Sequence, residues 1–432
     1  MRKDLIGLIC YVGLAGLLGA LFSACGDAAY ADEREVQLTF SADTLSFDTL
    51  FTTVGSTTRR LTVYNRSGSD VRLGGVSLAG GRASRFRLNV DGDTSLVARN
   101  VELLDGDSLF IFVQANISPN DAASPFLVED AILFSNGQRL PLTAWGRNAV
   151  YHTVPAGAPY SVVDCEQWDH SRPHVILGTA AVLDGHTLAL QAGDELYFHD
   201  GAILAFDTNA RLVAHGSADR PVLFTSMRHD GWYDSLPGQW QCLWFTSGSD
   251  GNVIDHAIVE NGTGGLRVYP NADLTVSNTV VRSMSDCAFI GQGGSIAGSN
   301  LLVYDCFASF TVLRGGSYSF TGCTFADYWR YSARSLPSVV LTNYLLNADG
   351  SVREAADLLR ADFTDCIVYG NRSDGEFMAD GIEGYLLNYR FENSIVKGGE
   401  WDEDPLFADT RSHDFHLQDS SPAVGIGYQY DN

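Results

Sequence analysis

The sequence predicts an all-β protein in which an antiparallel β-sandwich is followed by a solenoid of stacked parallel strands. Three observations predict this class: a six-residue phrase recurs in the second half, apolar and polar residues alternate over short runs, and glycine and asparagine separate those runs. Self-similarity at a period of roughly 20 to 50 residues is typical of repeat architectures, so the phrase decides the fold of the second half.

The recurring phrase is an apolar residue, a spacer, a small polar turn residue, a small residue and two apolar positions. Its third positions are 255, 278, 299, 322, 365 and 393, so the steps are 23, 21, 23, 43 and 28. We interpret this as a period near 22 with one doubled step, an insertion near 326–361 and about ten rungs in all. The clearest copies are FTGCTF at 320–325, FTDCIV at 363–368 and FENSIV at 391–396.

The first residues form an export signal. Arg2 and Lys3 precede an apolar run over 5–22, which ends in Ser23, Ala24 and Cys25 before the chain turns acidic. The cysteine at the cut resembles the lipobox of bacterial lipoproteins, in which that cysteine is acylated. The resemblance implies a signal peptide over 1–24, a lipid on Cys25 and a linker over 25–35. An uncleaved membrane anchor and an ordinary signal are the alternatives.

Composition excludes some partners. The formal charge is −24, from 52 acidic and 28 basic residues. This balance disfavours nucleic acid, because lysine and arginine bind the phosphate backbone. The six cysteines after Cys25 form no CxxC pair and no zinc spacing, so no metal framework is predicted. Cys323 and Cys366 hold the fourth position of the phrase, where we expect small buried side chains.

Residues 36–150 carry the predicted sandwich. Short β-type runs at 61–64, 109–113, 131–134 and 140–145 are separated by turn clusters. The stretch 47–81, with VYN at 63–65 before a turn, resembles immunoglobulin-like modules of the abnormal-spindle and hydin type. That resemblance implies a spacer or adhesion module.

Residues 157–432 carry the predicted solenoid, whose first runs alternate apolar and polar residues from 188 to 225. LQAGDELYF at 190–198, PVLFT at 221–225, GQWQCLWF at 238–245 and the closing phrases DPLF, DFHL and SSPA at 404–423 resemble right-handed parallel β-helix proteins. The whole chain is most similar to uncharacterised β-helix lipoproteins of the Bacteroidota, a kinship that implies no particular activity.

Two aromatic segments are candidate ligand sites. The insertion carries Tyr328, Trp329, Arg330 and Tyr331, and its segment 353–360 has the composition of a short helix. Insertions on a solenoid concentrate on one face, where exposed rings beside an arginine suit a sugar. The alternative is that these rings cap the core beneath. The second segment has the carbohydrate candidates Trp232, Tyr233 and Trp240. Trp240 and Trp244 are four residues apart on one strand face, so at least one of them is expected in the core, and Trp232 and Tyr233 in their polar loop are the better candidates.

Catalysis is the competing hypothesis. Glycosidases need two acids about 5 to 9.5 Å apart, and the acids at 230, 234, 250, 255 and 260 lie within reach of one another across rungs. No lyase or polygalacturonase motif is present, and no catalytic residue is assigned. No cofactor or metal is predicted, and calcium is expected only if the chain is a lyase.

The sequence therefore predicts an exported lipoprotein that binds extracellular glycan or protein through its solenoid. We expect it in the cell envelope, held in the outer membrane by acyl chains and facing the periplasm or the surface. A polysaccharide lyase or glycoside hydrolase is the first alternative. A structural spacer without ligand is the second.

Overall fold

The computed structural model describes residues 30–122, 124–228 and 231–430, in two compact units, Met1–Asn148 and Ala149–Asn432. The described chain is a β-sandwich and a parallel β-helix, which is the predicted fold class. The predicted leader 1–24, Cys25 and residues 26–29 of the linker lie outside the described residues. In the described part, no helix has both the length and the apolar character needed to cross a membrane.

The first unit is a sandwich of two sheets with a small additional pair, Val71–Leu73 with Val101–Leu103. Pairing is antiparallel except between Leu45–Phe51 and Arg139–Arg147, which run parallel. In order, one sheet contains Leu38–Phe40, Arg59–Asn65, Ser108–Ala115 and Phe86–Val90, and the other contains Leu45–Phe51, Arg139–Arg147, Phe126–Phe134, Val76–Leu78 and Val97–Ala98.

Alternation along the strands builds the sandwich core. In Ser108–Ala115 the residues Leu109, Ile111 and Val113 are buried, while the intervening Phe110 is exposed. Asn65, which ends the strand over the predicted run 61–64, is fully buried. Its amide nitrogen donates to the Ser69 and Leu103 carbonyls at 2.8 and 3.0 Å, so it fixes the following turn.

Residues 30–35 belong to the predicted linker, but they are attached to the sandwich. Ala31 N donates to the Asp70 carbonyl at 2.8 Å, and a 3-10 turn spans Glu33–Glu35. The Glu33 carboxylate accepts from Gly74 N at 2.7 Å and from the Ser135 hydroxyl. The described part of the linker is therefore bound to the sandwich by hydrogen bonds.

The second unit is a coil of three parallel strand ladders around one apolar core. A complete rung visits the first, second and third ladder in that order, then turns a corner into the first ladder of the next rung. Two long strands, Asp273–Arg282 and Ser295–Tyr304, run through that corner and belong to both the third and the first ladder.

The ladders contain ten, nine and eight strands in the described residues. Besides the two long strands, the first ladder contains Val150–Thr153, His174–Leu177, Glu195–Phe198, Val222–Ser226, Ala257–Glu260, Thr324–Asp327, Ile367–Gly370 and Ile395–Val396. The second contains Ser161–Val162, Thr179–Val182, Ile203–Phe206, Cys242–Phe245, Leu266–Val268, Cys287–Gly291, Ala308–Val312, Val339–Thr342 and Phe377–Asp380. Besides the same two long strands, the third contains Thr187–Gln191, Arg211–His215, Asn252–Asp255, Gly316–Thr321, Leu358–Thr364 and Arg390–Glu392.

The recurring phrase marks the corner between the third and first ladders. The corner residues have φ between 47° and 62°, the left-handed region that asparagine, aspartate and glycine adopt most easily. Two predicted positions, 255 and 299, are wrong by one residue, because the corners there are His256 and Asn300. The corrected series is His256, Asn278, Asn300, Gly322, Asp365 and Asn393, with steps of 22, 22, 22, 43 and 28.

The 43-residue step is a single rung, so its interpretation as a doubled step is wrong. Thr321 pairs directly with Thr364 across that step. The additional residues form a loop over 328–338 and a hairpin of Tyr344–Leu346 with Val352–Ala355. The helix predicted over 353–360 is also wrong. Those residues end the hairpin and begin the strand Leu358–Thr364, because pairing with Gly316–Thr321 outweighs their helix propensity.

The closing phrases lie along the side of the coil. Phe407, Phe415 and Ile426 pack against Leu302 and Ile367, which face outward from the first ladder. The strands Phe407–Asp409 and Asp414–Leu417 form a hairpin in this segment. The chain then runs back across three rungs, where the backbone nitrogens of residues 427, 428 and 429 donate to residues 365, 324 and 300.

Candidate functional site

One hydrogen bond joins the two predicted aromatic segments. The Tyr331 hydroxyl donates to the Ser235 carbonyl at 2.7 Å, across 96 residues of sequence. Trp232 is 72% exposed and Tyr331 is 46% exposed, while Tyr233 is half-buried. We call the surface of Trp232, Tyr233 and Tyr331 the aromatic face. It combines a 3-10 turn, Gly231–Ser235, with the loop over 328–338.

Two side-chain amides, from the half-buried Gln239 and the buried Asn261, hold the first of these two loops. The Gln239 side chain donates to the Tyr233 and Leu236 carbonyls at 2.6 and 2.9 Å. The Asn261 side chain donates to the Asp234 and Leu236 carbonyls, both at 3.0 Å. Because four bonds fix the loop backbone, the Trp232 ring is presented on a defined support.

A buried charge network holds the second loop. The Arg334 side chain is 2% exposed and makes a bidentate pair with Glu376, at 3.0 and 2.8 Å. It also donates to the Phe307 and Asp327 carbonyls at 2.9 and 2.8 Å. Burial raises the pKa of Asp327 to about 6, although Arg334 opposes the shift. The network therefore ties the loop to two rungs of the coil.

A row of polar side chains follows the first ladder beside the aromatic face. Glu260, Arg282 and Tyr304 occupy the same register position on three successive rungs. Arg282 donates to Glu260 Oε2 at 2.7 Å and to the Tyr304 hydroxyl at 2.7 Å. Glu260 Oε1 accepts from the Thr225 hydroxyl at 2.9 Å. We call these three residues the polar row.

Asp305 connects the polar row to the second loop. Its side chain is 4% exposed, and Oδ2 lies 2.6 Å from His413 Nε2 and 3.5 Å from Arg330 Nη2. Its other oxygen, Oδ1, is buried without a hydrogen-bond partner. Burial raises the pKa of Asp305, and His413 and Arg330 act in the opposite direction. Arg330 also donates to the Arg411 carbonyl at 3.2 Å, so it joins loop and closing segment.

The structure removes three predicted residues from the ligand surface. Trp240 is fully buried, stacks on Phe198 at 4.2 Å between ring centroids, and donates from Nε1 to the Glu260 carbonyl. Trp329 is 6% exposed and lies edge-to-face on Phe307. Tyr328 is half-buried against Phe415. All three stabilise the coil, which was the alternative for the insertion.

The sequence did not single out Arg282, Tyr304 or Asp305. A signal for the polar row was present, because residues 260, 282 and 304 are spaced by the 22-residue period that the corrected corners give. The partnership of Asp305 with His413 carried no such signal, since the closing segment lies outside the repeat.

The carboxylates that the sequence offered for catalysis are engaged in other contacts. Asp255 accepts from the Ser277 hydroxyl and the Asn278 amide at 2.6 and 2.9 Å. Glu260 binds Arg282, and Asp250 lies 3.4 Å from Arg211. Asp230 lies outside the described residues. No group of three or more histidine, cysteine, aspartate or glutamate side chains suited to a metal ion occurs among the described residues.

Comparison with known proteins adds little. No family model matches the chain, and no curated protein matches it. Among the solved structures with some likeness is a family 123 glycoside hydrolase from Clostridium perfringens, described for glycolipid glycan hydrolysis. The likeness covers 27% of this chain and 30% of that chain, with 5% identity and a TM-score of 0.18. Such a score carries no argument about fold or function.

Proposed function

We propose that the solenoid binds an extracellular glycan chain on the aromatic face, as part of a lipid-anchored protein of the cell envelope. The observation that carries the proposal is the Tyr331–Ser235 hydrogen bond, which holds two exposed aromatic segments together as one surface. A sugar ring has an apolar C–H face and a hydroxyl edge. Exposed rings next to fixed polar groups match both.

The polar row supports this assignment. Glu260, Arg282 and Tyr304 are held by one another, so their remaining donors and acceptors have fixed positions on successive rungs. Within the row the Arg282 side chain is 40% exposed, whereas Tyr304 is buried, so Arg282 is the group that a bound chain can reach. Its guanidinium is held between Glu260 and Tyr304 and can donate to a sugar hydroxyl.

The two alternatives receive less support. A hydrolase or lyase needs a carboxylate or base free to move a proton, whereas Glu260 is paired with Arg282, and Asp305 is paired with His413 and Arg330. A spacer without ligand does not need the exposed rings of Trp232 and Tyr331 to be held on one surface. Nucleic acid remains disfavoured by the formal charge of −24.

A glycan array on the full-length chain in detergent tests the proposal. The best-bound glycan is then titrated against Trp232→Ala, Tyr331→Ala and Tyr331→Phe by calorimetry. We expect about tenfold weaker binding for each alanine variant, because each removes a stacking ring. Tyr331→Phe keeps the ring and loses only the bond to Ser235, so its loss is smaller.

Trp145→Ala in the sandwich is the matched control, because Trp145 is also exposed, at 45%. Equal affinity in all four variants would overturn the aromatic face as the binding surface.

The lipid anchor on Cys25 is tested separately. Metabolic labelling with an alkynyl fatty acid should mark the wild-type chain and leave Cys25→Ser unlabelled, and a labelled Cys25→Ser would contradict the assignment of Cys25.

A further inference from the structure

The C-terminal end of the coil contains a cavity of about 520 Å³. This volume falls within the range of small-ligand sites, about 300 to 1,000 Å³. Aromatic side chains form much of its wall, and charged or polar groups form the rim. The lining includes Phe377, Tyr389, Phe391, Trp401, Arg390 and Glu400.

Phe391 is the last ring of an aromatic stack that runs along the coil axis. Phe320 and Phe363 stack with centroids 5.4 Å apart and planes 16° from parallel, and Phe363 and Phe391 stack at 4.7 Å and 18°. Phe320 and Phe363 are buried, whereas Phe391 is half-buried and lines the cavity. The next position in the stack is therefore open space. Phe377 lies edge-to-face beside Phe391, at 4.9 Å between centroids, and forms a side wall.

Among the described residues, the apolar side chains of the closing segment pack along the side of the first ladder, against Leu302 and Ile367, and belong to a different cluster from Phe391. The tight loop from Val396 to Trp401 is closed by a hydrogen bond of 2.9 Å, from Val396 N to the Trp401 carbonyl, and brings Trp401 to the cavity wall. In the described residues, the strand Arg390–Glu392 is paired on one side only.

We propose that this cavity binds one pyranose ring, the terminal residue of a glycan chain, stacked on Phe391. The proposal rests on the glycan-binding role proposed above, but it uses different residues from the aromatic face. A pyranose needs an apolar surface for its ring face and polar partners around its edge. The cavity offers Phe391 beneath and Arg390, Glu400 and Asn393 at the rim. Pairing with Asp362 and with Asp365 holds Arg390 and Asn393 in place, and each keeps further polar atoms for a ligand. An aromatic side chain of a partner protein would leave that rim without hydroxyl groups to bind.

The test uses the full-length chain labelled with 5-fluorotryptophan, with the Trp401 signal assigned by its loss in Trp401→Phe. Methyl glycosides of glucose, galactose, N-acetylglucosamine and glucuronic acid are added up to roughly 50 mM, above the millimolar Kd that one stacked ring supports. We expect at least one glycoside to shift the Trp401 signal in a saturable manner. Phenol, which represents an aromatic side chain, is the comparison ligand.

Tyr389→Ala should weaken the binding at least about fivefold. Tyr385→Ala should leave the binding unchanged, because Tyr385 is similarly exposed, at 46% against 44%, and does not line the cavity. The proposal is overturned if no glycoside shifts the signal, if only phenol does, or if the two variants behave alike. Trp232→Ala should leave the Trp401 response intact, so failure at this cavity is distinguished from failure at the aromatic face.

Discussion

The regular rungs, with corners from His256 to Gly322, and the irregular rungs that follow, up to Asn393, share one kind of corner contact and differ in what is added to it. The regular corners are 22 residues apart, and the Asn278 amide donates to Asp255, beside the His256 corner, and the Asn300 amide to Asn278, at 2.9 and 3.0 Å. The irregular rungs keep this contact, from the Asn393 amide to Asp365, but they also carry long loops that are tied by buried charges, with Arg334 at the centre. A regular rung therefore supplies scaffold, and an irregular one supplies the surface on which a ligand can be recognised.

The largest effect on stability is expected at Arg334, because the irregular rungs depend on its buried guanidinium. Arg334→Leu leaves Glu376 and Asp327 buried without it, and we expect a loss of about 3–5 kcal/mol in the free energy of unfolding. Arg353→Ala is the control, because that side chain is 61% exposed, and should cost less than about 1 kcal/mol. Denaturant unfolding measures both. Similar losses would show that the network does not hold these rungs.

The stability of the regular corners should depend on how easily the corner residue adopts the left-handed backbone conformation. Asn300 has a φ of 50°, and its side chain bonds Asn278 and the backbone of Gln429. Asn300→Ala should cost about 2–3 kcal/mol, from backbone strain and lost hydrogen bonds. Asn300→Gly relieves the strain and should cost less. Thermal unfolding separates the two variants, and an equal loss would mean that the left-handed backbone contributes nothing.

The stability that the buried charge network confers on the irregular rungs should depend on pH. The pKa of Asp327 is raised to about 6 in the folded chain, above the ordinary value of 3.8. Protonation therefore favours the folded state, and the destabilisation caused by the charged form is lost as pH falls from above 6 towards 4. Asp327→Asn resembles the protonated form at every pH. Its stability relative to wild type should be more favourable at pH 7.5 than at pH 4.5, by up to about 2 kcal/mol.

Both proteins contain the same histidines and other acids, so the difference between their unfolding free energies isolates position 327. A difference that does not change between the two pH values would contradict the raised pKa. Far-ultraviolet circular dichroism at both pH values checks that the variant keeps its β-structure.

The smallest effect on stability is expected at Cys366, where an irregular rung has the same kind of small side chain after its corner as the other rungs have. Cys323 and Cys366 hold the position that Thr279 and Ser394 hold elsewhere, and all four side chains donate to the carbonyl two residues earlier. Cys366→Ser should therefore change the free energy of unfolding by less than about 1.5 kcal/mol. Cys366→Leu overpacks the same site and should cost more. Equal losses would show that the thiol has a role beyond filling the corner.

Sequence periodicity predicted the coil better than it predicted the site. The alternation over 188–225 and the recurring phrase gave the strands and, within one residue, the corners, because both depend on local backbone geometry. For the aromatic residues, strand spacing indicated that Trp240 or Trp244 is a core ring but did not decide which. Trp240 was thus kept as a candidate beside Trp232, although Trp232 is 72% exposed and Trp240 is fully buried.

The sequence by itself determined the two-part all-β architecture, the period near 22 residues and the corners that asparagine, aspartate and glycine favour. Only the tertiary structure decided that Tyr331 meets Ser235, that Arg334 meets Glu376, and that the closing segment lies beside the first ladder. The physical reason is the distance along the sequence over which each kind of information acts. Local periodicity reports which way each side chain points from its own strand, but the meeting of distant residues depends on loop lengths and on how buried charges are paired.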